Sequence, residues 1–242
     1  MGLQRGNDDK ASSVTIAEYA MRFTDRLKLW NPMAIQLLKL KDLIAQRDRI
    51  VTALTQLTVP IEEMKQCGIA KEARDLERLQ LTAVNGLKKA KEKIEAAINS
   101  YVASEEKINK TISLVCTIKG IGLQTATSLY VYTKGFTMFE NAKQLACYCG
   151  VVPFAKSSGT SVRFKPGVSP FANRKLKKLL HLCAMSALRW DKELKAYYER
   201  KVLEGKNKMS VINAIRNKLL LRIFAVLRDQ RPYVENYQMR GA

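Results

Sequence analysis

The sequence predicts a mainly α-helical protein, in which a long coiled-coil helical hairpin precedes a helical C-terminal half. Only 6 Pro and 12 Gly interrupt its 242 residues, so long uninterrupted elements are expected. Apolar residues recur at steps of three and four along most of the chain. The one candidate for a strand pair is a short hairpin around the segment SSGTSVRF.

The composition indicates a polyanionic partner. The chain has 42 Lys and Arg against 22 Asp and Glu, a formal net charge of +20 and a pI near 9.9. A hydrophobic content of 47% excludes a disordered chain. The single histidine, His181, excludes a His-rich metal site, and any Ser-His-Asp triad would have to be built around it.

Cysteine usage and the absence of long apolar runs predict a cytoplasmic protein. The cysteines are odd in number, form no CxxC and lie in apolar-periodic segments, so we expect reduced thiols. The opening residues do not read as a signal peptide, and no 18 apolar residues run together. We therefore expect no membrane partner.

The first half predicts a short helix and then two long antiparallel ones. Ser13 is expected to cap a helix that runs to about Leu29 and stops before Asn31-Pro32. A second helix runs from 34 to 65, with Pro60 opening or kinking its last turn. After Cys67-Gly68, a third begins near Lys71 and extends for about 40 residues, or roughly 60 Å. That length predicts a protruding coiled-coil hairpin or dimerisation arm.

The heptad pattern supports this arm. Apolar residues of the third helix follow a 4-3 alternation, with Ser104 as the polar exception. The seam consists of Ala83, Leu87, Ala90, Ile94, Ala97, Tyr101 and Ile108.

The second half opens with a helix-hairpin-helix-like motif at residues 118–126. Gly120 and Gly122 permit a tight turn that can aim backbone N–H groups at a phosphate, aided by the dipole of the following helix. The alternative is a plain turn with packing glycines. Further on, a Thr137-x-x-Glu140 capping box and the Ser169-Pro170 pair are each expected to open a helix.

The positive charge is concentrated in this half. Residues 151–242 carry 20 Lys and Arg against 6 Asp and Glu, and residues 141–190 contain no acidic residue. Since solvated helix faces normally mix signs, the pattern favours phosphate contact over a merely solvated surface. The basic residues of 141–190 are Lys143, Lys156, Arg163, Lys165, Arg174, Lys175, Lys177, Lys178 and Arg189.

The loop from 151 to 167 places hydroxyls among cations. Ser157 and Ser158 lie between Lys156 on one side and Arg163 and Lys165 on the other. Cations can stabilise an alkoxide and the charged state of phosphoryl transfer. Taken alone, however, SSG between basic residues is typical of a flexible linker.

Spaced motifs in this half resemble a known family. The run KGIGLQTATSLYVYTKGFTMFENAKQLACYCGVVPFAKSSGTSVRF resembles the C-terminal transposase domain of the insertion-sequence one-ten family. It has the pattern GIG-x-x-TA, then F-x-x-A-x-x-L-x-x-Y-x-G-x-x-P, then SG. NRKLKKLLHLCAMSA and the segments after it are similar to the family's basic C-terminal helices, so the resemblance covers about 111–228.

The resemblance implies a DNA recombinase that mobilises its own element, guided by a structured non-coding RNA. Its nucleophile is the serine of the SG motif, here Ser158, with Ser157 as the alternative register. The serine forms a covalent link to a cleaved strand, so that rejoining needs no ATP. We expect DNA, a guide RNA and further copies of the chain, as a dimer or tetramer, as partners.

Family members also carry a RuvC-like domain whose DEDD acids hold Mg²⁺. The opening LQRGNDDKASSVTIAEYA resembles the tail of that domain, with Asp9 at the first position of a D-x-x-D pair and Ser12 at the second. We therefore expect a truncated chain that is inactive alone and holds no metal. Its expected domains are a remnant over 1–33, the coiled-coil arm over 34–110 and the transposase domain over 111–242. The segment VSPFAN departs from the more basic, glycine-containing family run, which puts DNA contact there in doubt.

Two other functions remain open at this point. One is a non-enzymatic, coiled-coil nucleic-acid-binding architectural protein. The other is a tyrosine recombinase that uses Tyr197 or Tyr198. That chemistry requires a histidine in an H-x-x-R motif, and His181 is not part of one.

Overall fold

The computed structural model describes residues 8–27, 32–158 and 162–235, and for residues 155–166 it describes the backbone of the strands alone. Within these ranges the fold is mainly α, as predicted. The elements are α1 (Asp9–Arg22), a 3-10 turn (Thr24–Arg26), α2 (Ile35–Gln66), α3 (Ala70–Ser104), α4 (Glu106–Cys116), α5 (Leu123–Tyr132), α6 (Ala142–Tyr148), β1 (Phe154–Ser158), β2 (Val162–Gly167), α7 (Arg174–Trp190), α8 (Lys192–Leu203) and α9 (Lys208–Asp229).

Residues 1–34 form one compact unit and residues 35–242 another. In the first unit, the Asp8 carboxylate caps α1 by accepting a hydrogen bond from the Ala11 amide at 2.7 Å. The predicted cap at Ser13 is wrong, since this residue lies inside the helix and its hydroxyl donates to the Lys10 carbonyl. The helix also ends at Arg22, before the predicted end at Leu29, which lies outside the described residues.

In the second unit, α2 and α3 form an antiparallel pair, here called the arm. Contacts along its length fix the pairing: Arg47 donates to Glu95 at 2.7 Å, and the Tyr101 hydroxyl donates to the Gln36 carbonyl at 3.1 Å. The predicted helix of about 40 residues is instead divided, because the chain leaves helical geometry at Glu105 and restarts as α4. Its last seam residue, Ile108, is buried in the domain core.

The core of the second unit lies where α4, α5, α7 and α9 meet the end of the arm nearest α4. α5 is buried from Thr125 to Val131 and forms the centre of this core. Leu129, Leu180 and Leu219 have no exposed surface. Each would destabilise the fold by about 2–5 kcal/mol if truncated to Ala.

Two predicted helix starts are wrong by a few residues. Asn141, and not Thr137, caps α6 by accepting from the Gln144 amide, while Thr137 donates to a preceding carbonyl. Asn173, and not Ser169, caps α7 by accepting from the Leu176 amide.

The thiols of the chain form no disulfide. All five cysteines are free. Burial raises the pKa of Cys149 to about 12, so its thiol stays protonated at neutral pH. No described helix is both long and apolar enough to cross a membrane.

Candidate nucleic-acid interface and serine hairpin

Strands β1 and β2 form an antiparallel hairpin, here called the serine hairpin. Ser158 is the last residue of β1 and pairs with Val162, while Ser157 pairs with Arg163. A shift of register between Phe154 and Lys156 marks a β-bulge near the base. Both candidate nucleophiles therefore stand at the far end of the hairpin. The predicted cations Lys156, Arg163 and Lys165 lie on its strands, with their side chains outside the described structure.

Two anchors hold the base of the serine hairpin. On the β1 side, the buried Val151 carbonyl accepts a hydrogen bond from the Asn213 side chain of α9. On the β2 side, Asn173 joins the start of α7 to α6, since its amide donates to the Tyr148 carbonyl at 2.8 Å. Gly150 lets the backbone after α6 pass close to the turn before α7. Its φ is +64°, and a Cβ at this position would lie 2.7 Å from the Ala172 Cβ.

The first turns of α7 carry cations close to where β2 ends. Arg174 and Lys178 are exposed, and Lys177 is partly buried. Arg174 and Lys177 help to line an open cavity of about 380 Å³ together with Ser169 of the preceding turn. These three cations form no ion pair with a carboxylate in the described part of the chain, so they are available to an incoming phosphate.

Lys175 differs from these neighbours. Its ammonium pairs with Asp48 of α2 and lies 5.2 Å from the centroid of the Tyr132 ring. Burial and the nearby Arg47 lower its pKa. The predicted contact of Lys175 with nucleic acid thus competes with a structural role between α7 and the arm.

The GIG turn joins α4 to α5 and uses its two glycines differently. Gly120 has a φ of +93°, and a Cβ there would lie 2.7 Å from the Cys183 carbonyl oxygen and 2.8 Å from the Ala187 Cβ. Close packing against α7 therefore requires this glycine, which favours the packing alternative at this position. Gly122 is the N-terminal boundary residue of α5, is exposed and has open space around it.

A C-terminal segment lies over this turn. The Tyr233 amide donates to the Thr117 hydroxyl at 2.8 Å, and Glu235 pairs with Lys119 at 2.8 Å. Lys119 is thus already paired with a carboxylate on the surface where the sequence predicts phosphate contact.

The residues present do not fit a Mg²⁺ site. Nowhere in the described ranges do three or more His, Cys, Asp or Glu residues cluster at metal-binding distances. Asp9 is exposed in the first turn of α1, and its neighbour Asp8 serves as the helix cap. No step below is assigned to a metal.

Sequence reasoning missed one residue of this region. Asn213 carries no motif and lies in the interior of α9, yet its side chain anchors the base of the hairpin. No signal in the sequence separates Asn213 from Asn217 of the same helix.

Comparison with known proteins shows a similarity to a transposase family over part of the chain. Residues 112–199 match the model of the Transposase IS116/IS110/IS902 family. This range runs from α4 into α8 and includes the GIG turn, the serine hairpin and α7.

Three relatives show how far the similarity extends. The chain is 31% identical over 149 residues to an uncharacterized 43.6 kDa protein of insertion element IS110 from Streptomyces coelicolor, which covers 62% of this chain and 35% of that protein. It is 28% identical over 231 residues to a pilin gene-inverting protein of Moraxella lacunata, a match that covers 95% of this chain and 68% of that protein. It is 26% identical over 250 residues to a transposase for insertion sequence element IS1111A of Coxiella burnetii, a match that covers 94% of this chain and 67% of that protein. The chain thus spans about a third of the length of the first relative, and its residues 112–199 are similar to the family model of IS116/IS110/IS902 transposases.

Proposed function

We propose that this chain acts in a DNA transposase or recombinase of an insertion sequence, with Ser158 as the nucleophile for strand cleavage and rejoining. The observation that carries the proposal is the family match over 112–199, which contains the serine hairpin. Relatives that match most of the chain are named for gene inversion and for transposition.

The proposed chemistry is a transfer of a phosphodiester bond from DNA to the serine and back. The Ser158 oxygen attacks the phosphorus of a phosphodiester, the serine proton leaves to a base, and the bond to one DNA oxygen breaks to release a hydroxyl. The phosphoserine ester keeps the bond energy, so attack by another DNA hydroxyl rejoins the strand and restores the serine. Lys156, Arg163 and Lys165 of the hairpin are proposed to stabilise the additional negative charge of the transition state.

A guide RNA and a RuvC-like acidic domain are proposed partners of this reaction. The excess of cations in residues 141–190 would offset the negative charge of a DNA and an RNA bound side by side. Since the described residues offer no Mg²⁺ site, the acidic domain would have to provide it.

The adduct test addresses the nucleophile directly. The chain is joined to an intact RuvC-like domain and incubated with Mg²⁺, guide RNA and labelled DNA, and covalent protein–DNA adducts are resolved on a denaturing gel. Ser158→Ala should abolish the adduct and leave DNA affinity nearly unchanged, because a hydroxyl used only in the chemical step adds little ground-state binding. The matched control, Ser157→Ala, should retain it.

Other outcomes redirect the proposal. An adduct that survives Ser158→Ala and disappears with Ser157→Ala would move the nucleophile by one residue. DNA binding without an adduct from any variant would favour the architectural alternative. An adduct formed by the unfused chain would contradict the need for the acidic domain.

Self-association through the arm is a further part of the proposal. Leu79 of α3 is 80% exposed and Leu76 is 40% exposed, and they lie one turn apart on one side of the helix. Exposed leucines at this spacing suit a second copy of the chain. Light scattering at tens of micromolar should give a dimer or tetramer, and Leu79→Lys should shift it toward the monomer.

A further inference from the structure

We infer that Arg216, on α9, binds a phosphate group of the nucleic acid at the base of the serine hairpin. The inference rests on the proposed function, since it assigns a phosphate contact within the same DNA-binding surface. Neither the motifs of the sequence nor the cluster of cations at the start of α7 includes this residue.

Arg216 is a buried cation with neutral partners. Only 6% of it is exposed. Its guanidinium lies 2.6 Å from His181 Nδ1 and donates to Asn213 Oδ1 at 3.2 Å. The Nε atom is buried and has no hydrogen-bond partner among the described residues. Buried charges are normally paired with an opposite charge, so this guanidinium lacks its usual complement.

Arg222 lies less than two turns further along the same helix. It shows which partners the fold provides for an arginine with a structural role. It pairs with Asp191, which is buried, and with Glu193 at 2.7 Å. It also lies 4.6 Å from the centroid of the Tyr233 ring. The two arginines therefore differ in one respect that matters here: carboxylates are provided for Arg222 and not for Arg216.

The helix that carries Arg216 and the elements of its partners contain long stretches without acidic residues. Neither residues 141–190 nor residues 205–228 contain an Asp or Glu. These ranges include α6, the serine hairpin, α7 and nearly all of α9. A phosphate oxygen would supply the missing negative charge, and the planar guanidinium matches phosphate geometry well.

The position of Arg216 connects it to the proposed chemistry. Asn213 contacts Arg216 through its side-chain oxygen and the Val151 carbonyl through its side-chain nitrogen. Val151 lies three residues before β1, so one side chain links the arginine to the base of the hairpin. His181 is partly exposed and lies one turn after Lys177 on α7, which provides an approach for a phosphate from the side of the α7 cations.

His181 supports the site as a neutral acceptor. Burial and the charge of Arg216 lower the pKa of His181, so its ring stays neutral at neutral pH. A neutral imidazole can accept from the guanidinium without cancelling its charge. The full positive charge of Arg216 is then left for the phosphate.

The test compares DNA binding with stability in the full chain. A short labelled duplex is titrated at several salt concentrations with wild type, Arg216→Met and Arg216→Lys. Arg216→Met should make the log–log salt slope shallower by about 0.9, the value for one lost phosphate contact. Its thermal unfolding midpoint should be unchanged or higher, because an apolar side chain of similar length replaces an unpaired buried charge. Arg216→Lys should keep the slope and weaken affinity.

Inorganic phosphate gives a second readout, since it should raise the unfolding midpoint of wild type more than that of Arg216→Met. Arg228→Met is the matched control, because it removes an exposed arginine of the same helix that is paired with Asp229 at 2.8 Å, and it should leave the slope unchanged. An unchanged slope together with a lowered midpoint for Arg216→Met would overturn the inference and make Arg216 structural. Wild type that binds DNA without salt dependence would instead contradict the proposed function.

Discussion

The arm and helix α7 differ in the balance of basic and acidic residues and in how their cations are paired. Residues 35–104, which include the arm, contain 12 basic and 9 acidic residues, and Arg47 and Lys65 pair with Glu95 and Glu77 across its two helices. By contrast, α7 carries four cations in its first five residues and no acidic residue at all. The arm mixes its cations with nearly as many acids and pairs some of them across its helices, whereas α7 leaves most of its cations for an external anion.

Lys175 and Asp48 connect the two regions and show the limit of the contrast. This pair lies between α7 and α2 and is partly buried. One of the four cations at the start of α7 therefore helps to hold the fold.

The largest expected effect concerns Arg222, which pairs with the buried carboxylate of Asp191. Arg222→Met should lower the free energy of unfolding by about 3–5 kcal/mol, because the buried Asp191 loses its counter-charge. Urea denaturation measures the change. Arg228→Met, at an exposed site of the same helix, should change stability by less than about 0.5 kcal/mol. Equal losses in the two variants would show that burial of the pair does not decide the effect.

The next effect distinguishes the two glycines of the GIG turn. Gly120→Ala should lower stability by about 2–4 kcal/mol, through its positive φ and its overlap with α7. Gly122→Ala should change stability little, since its φ is −92° and the space around it is open. Thermal unfolding of both variants decides this. If Gly122→Ala lowered stability as much as Gly120→Ala did, the packing role assigned to Gly120 would lose its basis.

A smaller effect tests the connection between the regions. Lys175→Met should lower stability by roughly 0.5–1 kcal/mol, as expected for a partly exposed pair. It should leave the salt slope of DNA binding unchanged, because Lys175 is engaged with Asp48. Denaturation and DNA titration are measured on the same preparation. A shallower slope would return Lys175 to the set of phosphate-binding residues.

The smallest effect concerns the C-terminal segment over the GIG turn. Glu235→Gln removes the carboxylate that pairs with Lys119, and should raise DNA affinity by no more than about fivefold, the equivalent of one exposed ion pair. Fluorescence anisotropy at fixed salt measures the change. Unaltered affinity would indicate that Lys119 lies away from bound DNA.

The sequence predicted those parts of the fold that local patterns determine. The apolar periodicity indicated two antiparallel helices in the arm, and the segment around Ser158 was the one candidate for a strand pair within a predicted loop, which the structure shows as β1 and β2. The start of α7 was missed because Ser169 and Asn173 are both good caps, and a tertiary contact of Asn173 with Tyr148 accompanies the cap that is used.

Residues whose roles depend on neighbours distant in sequence could not be predicted. The partners of Arg216 lie on two helices, and the contact that makes Gly120 necessary comes from α7, about 65 residues later. The extended backbone at Glu105, which separates α3 from α4, was likewise not predicted, because the heptad pattern continues across it to the buried Ile108.

The central claim is that the unpaired cations of α7 contact DNA phosphates, and the salt dependence of binding tests it most directly. The triple variant Arg174→Gln, Lys177→Gln, Lys178→Gln should make the log–log slope shallower by about 2–3 on duplex DNA, close to 0.9 for each lost contact. The matched variant Lys88→Gln, Lys89→Gln, Lys93→Gln removes the same charge from exposed positions of the arm and should change the slope far less. An unchanged slope in the α7 variant, or equal changes in the two, would contradict the account.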